Sequence, residues 1–122
     1  MMIDQQKKIM TSLKIQRNLH RCLQRRIIED GYGMRGKSRW MIEAIESFLS
    51  LPDYPTLVNI AEDMDQLTDM VSIRLPEILM LRIEKAILHI RRQYPTSEGV
   101  KSNLIRASIL QRLLRNTTVT EV

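Results

Sequence analysis

The chain has 122 residues, 43% of them hydrophobic and 27% charged, so a packed core is expected and wholesale disorder is not. That length holds one compact domain, or two very small modules sharing a core, and excludes two independent enzymatic domains. Four Gly, four Pro and 4% aromatic residues argue against a sandwich or barrel, while abundant Leu, Ile, Met, Arg and Glu make the expected fold class mostly α, with a net charge of +5.

In chain order, residues 1–9 read as a basic N-terminal arm carrying Lys7 and Lys8. Residues 10–50 form a first unit. Ser12, Leu13, Lys14 and Ile15 alternate polar and apolar, as a half-buried strand does. Leu19, Leu23 and Ile27 follow at helical spacing with Cys22 beside them, on the expected core stripe. Asp30, Gly31, Tyr32 and Gly33 break that helix, and Ser38 stands where an N-cap belongs, opening a second helix with Met41, Ala44, Ile45, Phe48 and Leu49 on its apolar face. Residues 51–68 are an acidic connector with Pro52 and Pro55 and a short helix expected from Thr56 to about Met64.

Residues 69–116 then repeat the first unit. Ser72, Ile73, Arg74 and Leu75 alternate as Ser12–Ile15 do, and Leu79, Ile83 and Ile87 match the first helical stripe at an offset of sixty, with Ala86 and Ile90 extending it. Tyr94 to Gly99 break the helix, and Ser102 is the second expected N-cap, ahead of Leu104, Ile105, Ile109, Leu110 and Leu113 at an offset of sixty-four. The four added residues fall between the helices, where a loop or longer helix tolerates them. Residues 117–122 read as a tail. A single strand can neither pair its backbone nor hide its apolar side, but two such strands paired antiparallel make a ribbon that rests on four helices.

Charge is segregated along the chain. Residues 1–40 hold ten basic and three acidic residues, residues 41–70 none and seven, and residues 71–122 nine and four. Two basic blocks around an acidic centre suit two surfaces meeting a polyanion. Cys22 is the sole cysteine, which excludes an intramolecular disulfide and makes a reducing cytoplasm the expected setting. No signal-peptide core and no membrane-length apolar run is read, so no membrane partner is expected.

The strand-helix-helix order, with the pattern Val71, Ser72, Ile73, Arg74, Leu75, Pro76, Glu77, resembles the ribbon-helix-helix family of Arc, MetJ and CopG type DNA-binding proteins. Gly99, Lys101, Ser102, Asn103, Leu104, Ile105, Arg106 and Ala107 look like that family's loop and second-helix entrance. The first copy is looser: Gln16 replaces Pro76, residues 30–37 are glycine-rich and Ile42 replaces Arg106. The resemblance covers Met10 to Leu49 and Met70 to Arg115, and the tandem order is similar to TraY-type relaxosome accessory proteins and VirC-type proteins of T-DNA transfer. It implies two tandem ribbon-helix-helix units forming an intramolecular pseudo-dimer around a two-stranded antiparallel ribbon.

In such a ribbon Thr11, Leu13, Ile15, Val71, Ile73 and Leu75 face the core, which leaves Met10, Ser12, Lys14, Met70, Ser72 and Arg74 outward as the expected base-reading face. Pairing centred on Ser12 and Ser72 puts Lys14 near Met70 and Arg74 near Met10. A two-stranded ribbon fits the DNA major groove, where Lys or Arg meets guanine, a hydroxyl serves either donor or acceptor, and a Met methyl touches thymine. Taken singly, Lys14 or Arg74 is an ordinary charge on the wet side of a hairpin; strand pattern, duplication and flanking basic blocks together favour the functional reading. Phosphate contacts are expected from Lys7 and Lys8 as a mobile arm, and from Lys37, Ser38, Arg39, Lys101, Ser102 and Asn103 at the two helix entrances, with the amides of Arg39, Trp40, Asn103 and Leu104 facing the anion.

His20 and Cys22 are two apart, but no Cys or His cluster completes a ligand set, so no metal and no cofactor is expected. His89 stands alone on the polar side of its helix and no catalytic triad can be read from scattered serines; the chain is not expected to be an enzyme. The eight Met residues read as adaptable core filling. Trp40, off the apolar stripe, is either a partner contact or a bridge to the connector. The leading expectation is a sequence-specific double-stranded DNA-binding protein, a transcriptional regulator in the cytoplasm associated with nucleoid or plasmid. The alternative is a relaxosome or T-DNA-type accessory factor binding a transfer origin, with an antitoxin or protein-interaction module ranked behind both. Besides DNA, the partners to consider are further copies of the chain along the DNA and a relaxase or other DNA-processing protein.

Overall fold

The computed structural model describes residues 7–33, 35–61, 66–96 and 98–119. These form β1 (Lys8–Ile15), α1 (Arg17–Glu29), α2 (Lys37–Leu49), α3 (Tyr54–Ala61), β2 (Asp69–Pro76), α4 (Glu77–Gln93) and α5 (Val100–Val119). The fold is mostly helical, with β1 and β2 paired as a two-stranded antiparallel sheet.

The register is the one that alternation predicts: Ser12 opposite Ser72, Lys14 opposite Met70 and Met10 opposite Arg74. Thr11, Leu13, Ile15, Val71, Ile73 and Leu75 are buried beneath the sheet, five of the six being aliphatic and four β-branched. The burial pattern of Thr11 to Leu19 recurs residue for residue in Val71 to Leu79. Gln16 adopts φ −69° and ψ 147°, the same backbone turn as Pro76 at φ −60° and ψ 145°. Glutamine and proline therefore make the same turn from strand to helix.

Beneath the sheet α1 buries Leu19, Leu23 and Ile27, and α4 buries Leu79, Met80, Ile83, Ala86 and Ile90. The centre of the core is α2 against α5, where Trp40, Met41, Ala44, Ile45 and Phe48 meet Leu104, Ile105, Ala107 and Ile109. The two halves interlock: α2, from the first half, abuts β2, while α5, from the second, abuts β1. Each fully buried large aliphatic side chain contributes about 1.5–3 kcal/mol, and those of α2 and α5 meet one another across the two halves. A half alone would lose that contact.

Several boundaries differ from the sequence reading. Lys8 begins β1 opposite Pro76, and the Lys7 carbonyl accepts from the Glu77 amide at 3.0 Å, so the ladder holds both residues where a mobile arm was expected; residues 1–6 lie outside the described residues. The connector helix starts earlier, at Tyr54, and the expected end near Met64 falls outside the described residues. That helix packs on α5 and α4, with Val58 buried and the Tyr54 ring tilted against Phe48 and His89 at centroid distances of 6.2 and 5.8 Å. The connector is part of the single core, and His89, though exposed, has the Tyr54 ring beside it. α5 continues to Val119, into the stretch read as a tail. Cys22, expected on the core stripe, is exposed, because the buried strip of α1 is only one residue wide per turn. No helix among the described residues is long and apolar enough to cross a membrane.

Candidate nucleic-acid interface

The upper face of the sheet carries all six residues singled out from the alternation. Met10 and Met70 are 55% and 58% exposed, far more than unpartnered thioethers in a core would be, and Ser12, Lys14, Ser72 and Arg74 are exposed with them. The register gives each end of the face one cation beside one Met: Lys14 with Met70, and Arg74 with Met10. Between them the Ser12 and Ser72 hydroxyls are hydrogen-bonded at 2.7 Å. Among the described residues neither Lys14 nor Arg74 has a carboxylate partner, so both charges are available to an anion or a carbonyl from outside.

The Glu77 to Lys7 backbone bond fixes the ladder's phase. In an antiparallel pair, bonded and non-bonded rungs alternate, which makes the rungs of residues 10, 12, 14, 70, 72 and 74 the non-bonded ones. Their amides and carbonyls point off the two free edges and need partners elsewhere. On the β2 edge the Arg74 amide donates to Ser38 Oγ at 3.1 Å. On the β1 edge the Lys14 carbonyl accepts from Arg106 Nη1 at 2.7 Å. The first turn of α2 and the second turn of α5 are thereby fixed against the opposite edges of the same face.

Neither serine is an N-cap. α2 begins at Lys37, its cap position is Gly36, and no side chain caps it. A Cβ at Gly36 would overlap the Tyr32 carbonyl, which is why the chain enters the helix on a glycine. α5 begins at Val100, directly after Gly99 at φ +61°, two residues before Ser102. Their entrances also shift the open amides. The Trp40 amide is spent on Gly36 and that of Asn103 on Gly99. The amides left without an intrahelical partner are those of Lys37, Ser38 and Arg39, and of Val100, Lys101 and Ser102. Lys101 is exposed at its helix entrance and Lys37 is half-buried at the other.

Asn103, expected to face phosphate, is turned inward at 5% exposure. Its Nδ2 donates to the Glu98 carbonyl at 3.2 Å and its Oδ1 accepts from Arg106 Nη2. Arg106 is itself 6% exposed; burial lowers its affinity for the proton, and its Nε has no partner among the described residues. Arg39 remains exposed but is tied to Glu43 at 3.4 Å and lies over the Tyr32 ring at 5.1 Å.

Trp40 is neither an external contact nor a bridge to the connector. It is fully buried, its indole N–H donates to the Asp30 carboxylate at 2.9 Å, and the Arg112 guanidinium lies 4.5 Å over its ring. Arg112 donates to the Trp40 carbonyl at 2.8 Å and to the Tyr32 hydroxyl at 2.9 Å, and the Tyr32 hydroxyl donates to Glu43. That bond, with Arg112 and Arg39 nearby, holds the Glu43 carboxyl below its ordinary range despite partial desolvation. This network behind the α2 entrance was not read from the sequence, although Tyr32 and Trp40 flank the glycine turn that creates it.

A second unread cluster closes the Lys14 end of the sheet. His20 Nδ1 lies 2.9 Å from Asp69 Oδ2, and Arg17 Nε lies 3.5 Å from Oδ1. The His20 bond, then the Thr68 hydroxyl and Arg17, keep Asp69 below the usual carboxylate range. His20 therefore meets a carboxylate in the strand, away from Cys22. Comparison with protein-family models, with curated proteins and with solved structures gave no match.

Proposed function

We propose that the chain is two tandem ribbon-helix-helix units folded into one intramolecular pseudo-dimer, and that it is a sequence-specific double-stranded DNA-binding protein, a transcriptional regulator, that reads the major groove with its ribbon. The observation that carries this reading is the open face of β1 and β2. It is a two-stranded ribbon with exposed Met, Ser and unpaired Lys or Arg in register, and a helix entrance stands at each edge. The width of such a ribbon suits the major groove, and its side chains can satisfy base edges that a buried apolar or acidic face could not.

The helix entrances supply the second half of the mechanism. Open amides and the positive end of the helix dipole attract phosphate oxygens, with Lys37 and Lys101 alongside and Arg39 exposed at one entrance. Lys8 adds charge at the end of β1. Backbone contacts of this kind hold the register of the protein on the duplex, and the six ribbon residues supply its sequence preference.

Selection from a pool of random duplexes tests the reading, followed by titration of the selected and a scrambled duplex at several salt concentrations. Arg74→Ala and Lys14→Ala each weaken the selected site by about 1–3 kcal/mol and relax preference at different base pairs. Lys101→Ala weakens both duplexes alike and reduces the salt slope by about one. A wild-type chain that enriches no sequence contradicts the proposal.

A further inference from the structure

We infer that Arg106 is a positioning residue for the Lys14 end of the ribbon, coupling the turn ahead of α5 to that reading position and not to the Arg74 end. Its consequence for base preference rests on the DNA-reading proposal; its consequence for the ribbon itself does not.

Lys14 lies in a non-bonded rung, so its carbonyl leaves the β1 edge and requires a donor. The donor is a buried guanidinium 92 residues away in sequence. Burying that cation without a carboxylate is costly, and among the described residues none pairs with it. What holds its two terminal nitrogens is a chain of neutral groups, with Nε left without a partner among the described residues: the Lys14 carbonyl on Nη1, Asn103 Oδ1 on Nη2, and the Glu98 carbonyl holding Asn103 Nδ2 in the orientation that presents Oδ1. The bonds run without a break from the α5 entrance, where Lys101 stands exposed, to the backbone that roots the Lys14 side chain. A shift at one end moves the other.

The opposite edge lacks this device. The position of α2 equivalent to Arg106 is Ile42, whose side chain has no donor. There the Ser38 hydroxyl holds the Arg74 amide by one neutral bond at 3.1 Å. Two copies of one unit thus hold their reading residues by different means, a charged network for Lys14 and a single hydroxyl for Arg74.

The test uses the full chain with Arg106→Met, which keeps bulk and length but removes the donors, and Asn103→Ala, which leaves Arg106 in place but cuts its link to the turn. In the free protein, amide hydrogen exchange is compared between the Lys14 end (Leu13, Ile15, Val71) and the Arg74 end (Ile9, Ile73, Leu75). Arg106→Met speeds exchange about tenfold at the first group relative to the second, the order expected from one lost charged hydrogen bond. Asn103→Ala acts in the same direction to a smaller extent, and Ser38→Ala reverses the pattern. On selected duplexes, Arg106→Met lowers base preference at the Lys14 end about tenfold, the size of one displaced base contact, and leaves the Arg74 end unchanged. Equal acceleration at both ends with uniform loss of affinity, or no change at either end, overturns the inference. An exchange contrast without loss of preference at the Lys14 end overturns its functional half. A wild-type chain with no sequence preference refutes the DNA reading instead, and the exchange contrast still decides the anchor.

Discussion

Ser12 and Ser72 join their hydroxyls at 2.7 Å across the open face of the sheet, at the midpoint of a register in which each outward residue of β1 faces an outward residue of β2. They meet because non-bonded rungs bring opposed Cα atoms closest, and because serine is short enough to use that closeness. One hydroxyl proton is consumed between them. The other proton and several acceptor positions remain directed outward, which gives the centre of the face both donor and acceptor character.

That bond is exposed and neutral, so Ser12→Ala and Ser72→Ala should each change stability by less than about 1 kcal/mol. Thermal denaturation of the two variants checks this. A larger loss would mean that the pair holds the ribbon together, a role the buried residues beneath it are expected to fill.

Both strands and all the helices that cover them come from one chain, so the folded unit should be a monomer at low micromolar concentration. Analytical ultracentrifugation combined with circular dichroism measures this. A monomer that is unfolded and gains helix only on self-association would contradict the interlocked arrangement of α2 with β2 and α5 with β1.

Trp40 is the sole tryptophan and is fully buried. Trp40→Ala should cost about 3–5 kcal/mol, a large part of the stability of a domain this small. Trp40→Phe keeps one aromatic ring but loses the other and the N–H donated to Asp30, and should cost less than the alanine variant, about 1–3 kcal/mol. Urea denaturation followed by circular dichroism separates the two, and native fluorescence of the wild type should be poorly quenched by iodide.

Glu43 and Asp69 both titrate lower in the folded chain than their ordinary values of 4.5 and 3.8. The unfolded chain therefore binds more protons in acid, and the stability these carboxylates contribute is present above those values and lost as pH falls through them toward the folded pKa. Glu43→Gln and Asp69→Asn should each lower stability at neutral pH and flatten the acid limb of a stability-versus-pH curve. A limb as steep in the double variant as in the wild type would assign acid lability to other groups.

The register, the six outward residues and the helix faces could be read from the chain because each rests on a local period repeated at a fixed offset. The features that escaped depend on partners far away in sequence. Ser38 and Ser102 have the composition of N-caps, but Gly36 and Gly99 let the helices begin earlier, and the Ser38 hydroxyl is taken by a strand amide 36 residues on. Trp40 looked off-stripe because its place in the core is made by Asp30 and by Arg112, 72 residues away. Asn103 reads as a phosphate contact and Arg106 enters only through the resemblance; both are buried because Arg106 bonds the Lys14 carbonyl and Asn103 joins Arg106 to the Glu98 carbonyl.

The two strands differ in their cations, Lys14 in one and Arg74 in the other, so a selected site should be asymmetric and the chain should bind it in one orientation. Arg can fork onto a guanine while Lys acts more as a point charge, which sharpens preference at the Arg74 end. Cys22 is exposed and is the sole cysteine, so a cleavage reagent tethered there marks one side of the molecule. Hydroxyl-radical cleavage on the selected duplex and on its inversion is the most direct measurement: the account predicts cleavage on one side, moving to the other when the site is inverted. Equal cleavage on both sides of a palindromic selected site would contradict reading by two unlike strands of one ribbon.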